Sequence, residues 1–208
     1  ICAWLKVRRG SHEVINTIML NFVAAALASW VTLYVIPNPA SQNPETIPIP
    51  EAFDMKTWDP VAHFFQDTPA NFSILVAIAS ALGLWFFLKK TIWGFELKAV
   101  GQNEVAARLA GINVDFIKHA AFFGAGALAA MVGLGEVLGS AGRFRLGFSA
   151  DYGFLGIAVA LLARNSPVGI IFTGLLFGSL HYGSSNLDLE TEKITRDFSY
   201  LLQASIIL

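Results

Sequence analysis

The sequence predicts an all-α, polytopic membrane protein, and two observations carry that prediction. Hydrophobic residues make up 55% of the 208 residues and charged residues 14%. Soluble domains run at about 45–50% and about 25%. The mean hydropathy is +0.58. Fourteen basic and 15 acidic side chains cannot easily cover the surface of a soluble domain this long. Secondly, apolar stretches recur along the chain, several of them long enough to cross a bilayer. The length fits one domain. A net charge of −1 argues against a nucleic-acid binder. Cys2 stands alone, so neither an internal disulfide nor a cysteine metal cluster is expected.

The predicted segments number about six, two of them short or broken. The first is 14–36, whose 23 residues reach about 34 Å as a helix. It contains Asn16, Thr17, Asn21 and Thr32, which a lipid-facing surface would avoid. Pro37, Pro39, Pro44, Pro48 and Pro50 then end it and open an irregular loop over 37–70. The second span is 71–88, closed by Lys89 and Lys90. The third is 119–139, rich in glycine and alanine. Its Gly135 and Gly139 have the spacing that lets helices approach closely. Two shorter pieces follow, 153–163 and 168–182, separated by Arg164, Asn165, Ser166 and Pro167. They read either as broken helices around a transport site or as two tilted helices in a larger bundle. The last span, 198–208, covers about 16 Å of a core of about 30 Å. The chain starts at Ile1 and stops inside this apolar run. A piece of a longer protein is therefore expected.

Charge sets the orientation. Lys6, Arg8 and Arg9 lie before the first span, and Lys89, Lys90, Lys98, Arg108 and Lys118 lie between the second and third. The 37–70 loop has Lys56 against Glu45, Glu51, Asp54, Asp59 and Asp67. The positive-inside bias puts 1–12 and 89–118 in the cytoplasm and 37–70 outside. Span three then ends outside, near Ser140. Arg143 and Arg145 lie there against the rule, which suggests a specific task for them. Residues 184–197 would be external. Trp58, Trp85 and Trp93 read as interfacial anchors.

Within 89–118 one stretch is sharply delimited. Asn103 is a good N-cap and Glu104 suits a first helical turn. Glu104 and Arg108 form an i,i+4 pair in the favourable order. Ala106, Ala107, Leu109 and Ala110 are strong helix formers, and Gly111 is placed as the residue just past the helix end. Two turns are not stable alone and need a surface. The alanines would let a partner approach closely. A docking helix and an ordinary amphipathic connector both fit this pattern.

This stretch resembles the coupling loop of the permease subunits of ABC importers, the family of ribose-type and branched-chain amino acid permeases. Thr91, Gly94, Lys98, Gly101 and Asn103 resemble the lead-in, although Glu96 and Lys98 sit where variation and Arg are common. Ile157-Ala-Val-Ala-Leu-Leu162, Ser166-Pro167-x-Gly169 and Leu176-Phe177-Gly178 resemble its later half. Glu13-Val-Ile-Asn16-Thr-Ile-Met19-Leu-Asn21 is similar to a narrower branch, associated with basic membrane lipoproteins, that imports nucleosides and in some bacteria riboflavin. The resemblance implies a multi-pass protein of the bacterial cytoplasmic (inner) membrane. It implies a second permease subunit, identical or paralogous, an ATP-binding subunit and an external substrate-binding lipoprotein. Asn103, Glu104, Ala106, Ala107, Arg108, Gly111 and Ile112 would be the ATPase-coupling residues. The chain has no phosphate-binding Gly-x-x-x-x-Gly-Lys-Ser/Thr loop, so ATP and Mg would belong to the partner, with no cofactor in this chain and no catalytic residues.

Pathway candidates follow from chemistry. Glu136 is an ionisable group near the outer end of span three, and its alternative is pairing with Arg143 or Arg145. Asn21 and Asn16 offer donors and acceptors to a base edge, or interhelical hydrogen bonds. Phe144, Phe148, Phe154 and Phe177 gather in sequence around the broken region and could stack on a flat ring, or simply pack. His181 is expected at the outer interface. His12, His63, His119 and His181 are scattered, which supports no metal site. A secondary transporter or channel, a structural membrane subunit, and an ABC permease for riboflavin or a sugar remain competing readings.

Overall fold

The computed structural model describes residues 1–39, 41, 43–50, 72–148 and 152–190. The expected last span at 198–208, residues 191–197, and Trp58 with most of the 37–70 loop lie outside them. The described elements are helices: α1 (Cys2–Arg9), α2 (Glu13–Trp30), α3 (Ser73–Lys90), α4 (Ile92–Gln102), α5 (Glu104–Leu109), α6 (Val114–Gly133), α7 (Tyr152–Leu162) and α8 (Pro167–Glu190). Two isolated β-bridges are the only extended pairing among the described residues. The all-α, polytopic class is thus observed.

Three helices are long and apolar enough to cross a membrane: Glu13–Val35, Ser73–Lys90 and Val114–Gly139. Two of them end in wider, π-helical turns, over Val31–Val35 after α2 and over Leu134–Ala141 after α6. Almost none of their surface is buried within the chain. Water would not tolerate three such uncovered apolar helices, whereas lipid and neighbouring helices do. The third helix starts at Val114, five residues before the expected 119, because Asn113 caps it by accepting from the Phe116 N–H at 3.1 Å.

The chain forms two compact units. The first holds 1–80 and 86–148. In it α1 packs on α2 and α6, and α4 and α5 pack on the start of α6. α1 stops at Gly10, whose φ of +61° is a left-handed cap. Span two turns into α4 at Thr91. The Thr91 hydroxyl donates to the Phe87 carbonyl at 2.6 Å and accepts from the Gly94 N–H at 3.0 Å. Gly94 lies directly against the Phe87 carbonyl oxygen and Leu88.

The second unit holds 81–85 and 149–208. Its described core is a hairpin of α7 and α8. Arg164 and Asn165 adopt left-handed φ of 51° and 54°, reversing the chain in a tight turn. The Ser166 hydroxyl accepts from the Gly169 N–H at 3.4 Å, and Pro167 fits the first turn that follows. Gly169 packs on Ala163, and the Thr173 hydroxyl donates to the Val159 carbonyl at 3.3 Å. α8 runs on to Glu190, beyond the expected end at Tyr182, so residues expected in an external loop are helical up to that point.

Candidate functional site

The connector between spans two and three is a built unit rather than a loop. Its core is Val100 of α4, Ala107 of α5, and Val114 and Ile117 of α6, with Leu97 and Ile112 packed against it. Asn103 accepts from the Val105 and Ala106 N–H groups at 3.0 and 3.1 Å, as expected of an N-cap. At the other end Gly111 takes φ +83°. Its N–H donates to the Arg108 carbonyl, and the Ile112 N–H donates to the Ala107 carbonyl, both at 3.0 Å. This pair of bonds closes a Schellman motif. Both ends of a six-residue helix are therefore satisfied by their own neighbours.

Two readings need correction. Glu104 and Arg108 do not bond each other. Glu104 accepts from Lys118 Nζ at 2.7 Å, and Arg108 donates to Asp115 Oδ1 at 2.7 Å. The Schellman turn folds α6 back beside α5, so cations and acids of the next helix come closer than those one turn away. The Lys118 hydrogen bond holds the Glu104 carboxyl below its ordinary range. Secondly, Ala107 is not on the outward face of α5. It is 3% exposed and anchors α5 to its own chain. Ala106 stays exposed. Sequence reasoning missed the outward residues: Val105 and Leu109 are 68% and 86% exposed, one turn apart. Their i,i+4 apolar spacing, opposite Ala107, was the available signal.

At the opposite end of this unit the described part of the 37–70 loop is clasped to the segment after α6. Glu45 is only 5% exposed. It accepts from Arg143 Nη1 at 2.6 Å, and Arg145 Nε lies 3.6 Å away. The Ile49 N–H donates to the Gly142 carbonyl at 2.8 Å, and the Thr46 N–H to the Phe144 carbonyl at 3.0 Å. The two arginines that broke the charge rule thus both lie against Glu45. Hydrogen bonding from Ser41, then from Arg143, holds the Glu45 carboxyl below its usual value. A carboxylate with a lowered pKa stabilises the fold above the unfolded-state value and loses that contribution as pH falls through the lowered one. Thermal unfolding in detergent should therefore show no Glu45-dependent change between pH 5 and 8, and a loss below about 4. Glu45→Gln should lower the melting temperature at neutral pH and abolish that acid-dependent part; an unchanged profile would remove the clasp from the stability argument.

The pathway candidates have different local surroundings. Asn16 donates to the Ser11 hydroxyl at 2.6 Å, and Asn21 is exposed on α2. Glu136 is half-buried in the π-helical turn. It adjoins Gly135, which lines an apolar cleft of about 280 Å³ between α3 and the end of α6, with Ser73, Ser80, Leu128 and Met131. None of the expected pathway residues lines that cleft. Phe148 stacks edge-on with Phe144, centroids 5.4 Å apart. Phe154 is exposed on α7, and Phe177 is buried in the second unit. Among the described residues no cluster of His, Cys, Asp or Glu could hold a metal ion.

Membrane-length helices joined by a capped, packed connector define a polytopic membrane protein. The chain belongs to the permease family of branched-chain amino acid transport systems, whose family model matches residues 1–208. It is 36% identical over 199 residues to the glucose ABC transporter permease of Haloferax volcanii, covering 91% of this chain and 51% of that one. It is 35% identical over 190 residues to the guanosine ABC transporter permease of Bacillus subtilis, covering 90% and 53%. It is 31% identical over 189 residues to a nucleoside ABC transporter permease of Lactococcus lactis, covering 88% and 51%. The chain thus spans about half the length of these curated relatives. No solved structure matches it. Permeases of this family sit in the cytoplasmic (inner) membrane, in keeping with the three membrane-length helices.

Proposed function

We propose that this chain is the pathway-forming part of an ABC importer permease that carries a nucleoside-like solute, with ATP and Mg bound by a separate subunit. The observation that carries the coupling half is α5. It is capped at both ends, anchored inward by Ala107, and presents Val105 and Leu109 outward. A groove on an ATP-binding subunit would take those two side chains. The two ion pairs to Asp115 and Lys118 tie α5 to span three, so a push on α5 would move span three with it. The partners of this reading are that subunit, a second permease subunit and an external substrate-binding lipoprotein.

Likeness to guanosine and nucleoside permeases supports the nucleoside reading. The glucose permease relative favours a sugar as the second reading. The test is ATPase stimulation in the reconstituted full-length complex by the loaded binding protein, across nucleosides, riboflavin, ribose, glucose and amino acids. Stimulation by a nucleoside supports the first reading and stimulation by glucose the second. Transport driven by an ion gradient without ATP would replace both with a secondary transporter. Glu136→Gln is expected to reduce nucleoside-stimulated turnover about ten-fold, as losing one charge-assisted hydrogen bond does. Unchanged turnover would return Glu136 to packing.

A further inference from the structure

We propose that the end of the first unit carrying α5 holds an anionic-phospholipid site, formed by α1, the end of α3 and α4. Segments 1–13 and 89–119 contain eight Lys and Arg against four acids. Three of those acids are already matched within the chain. Glu13 meets Lys6 at 2.8 Å, and Asp115 and Glu104 hold Arg108 and Lys118 as described above. Glu96 is the fourth acid. Arg8, Arg9, Lys90 and Lys98 are exposed and make no ion pair among the described residues. The surplus is therefore positive and solvent-facing.

The same end carries an apolar surface suited to the bilayer boundary. α4 follows span two directly, and its Ile92 and Phe95 are 76% and 67% exposed. Trp93, also exposed, stacks edge-on with Phe116 at the start of span three, centroids 5.6 Å apart. Trp4 is exposed on α1. Both α1 and α4 pack on α6, so the two cationic segments flank one helix. Short helices with exposed aromatic side chains, lying beside unmatched cations at the ends of membrane-length helices, are the arrangement that lies in an anionic leaflet. The apolar side chains enter the acyl boundary while the Lys and Arg stems reach back to phosphate oxygens. The unmatched cations lie beside apolar and aromatic side chains at the ends of membrane-length helices, and this pairing of charge with acyl-boundary surface favours phospholipid. Occupancy here would bear on the position of α4, which shares the Val100 core with α5.

The full-length permease, purified alone and in its complex, would be delipidated and titrated with phosphatidylcholine or phosphatidylglycerol. Retained lipid would be counted by native mass spectrometry, without ATP, so the result is independent of the importer reading. Phosphatidylglycerol should be retained over phosphatidylcholine, by up to roughly five-fold for each participating cation. A variant with Arg8, Arg9, Lys90 and Lys98 all changed to Gln should lose that preference. Arg145→Gln, at the opposite end, should keep it. The proposal is overturned if the wild type shows no preference or if the preference survives the fourfold change. It is also overturned if the preference appears in the isolated subunit but vanishes in the complex, since a protein partner then covers the face.

Discussion

Gly111→Pro is expected to uncouple the transporter while leaving the membrane helices assembled. Gly111 sits at φ +83°, and proline is held near −65°. Proline also lacks the N–H that donates to the Arg108 carbonyl at 3.0 Å. The lost bond and the forced rearrangement together cost roughly 2–4 kcal/mol at this turn. Nothing lies within 4 Å of where a Cβ would stand. The requirement is therefore conformational and not one of space. Gly111→Asn, which tolerates the left-handed region, should keep most of the activity, whereas Gly111→Pro should abolish ligand-stimulated ATP hydrolysis in the reconstituted complex. Assembly is followed by size-exclusion chromatography. Full stimulation with Gly111→Pro would show that the shape of α5 does not matter to coupling.

Gly94→Val is expected to prevent accumulation of the folded subunit. Here the reason is the opposite one. A Cβ at Gly94 would collide with the Phe87 carbonyl oxygen and come within 2.7 Å of Leu88 Cα. Both are backbone atoms of α3, which cannot move without unwinding the helix. Overpacking of this kind costs about 1–3 kcal/mol, more where backbone must shift. The corner also carries the Thr91 cap, so the entry to α4 would be lost with it. Even Gly94→Ala should lower the melting temperature in detergent clearly. Gly135→Ala is the comparison: its Cβ would meet the Ser73 side chain at 3.0–3.1 Å, and a side chain can give way. If Gly94→Ala melts no lower than Gly135→Ala, the corner is looser than its geometry indicates.

These glycines also show how sequence and tertiary structure divide the information. Gly111 was legible because its task is local: a cap eight residues after Asn103 closes a short helix, and both caps form as expected. Gly94 carried no such mark. Its neighbours are seven and six residues back across a corner, and composition does not report the angle of a corner. The same limit explains the mistaken pairing of Glu104 with Arg108. Helix spacing offers that pair, but the turn at Gly111 delivers Lys118 and Asp115 instead.

The amino-acid sequence by itself determined the all-helical membrane class, the existence of three membrane-length helices, and the ends of α5. Hydropathy along a helix and side-chain caps act within one or two turns, so each is readable in a window of the chain. Only the tertiary structure decided that Ala107 faces inward while Val105 and Leu109 face out. It alone joined Glu45 to Arg143 across 98 residues. Those outcomes depend on which helix faces meet. With almost every membrane-helix position apolar all round, the sequence carries little moment to say which face turns where.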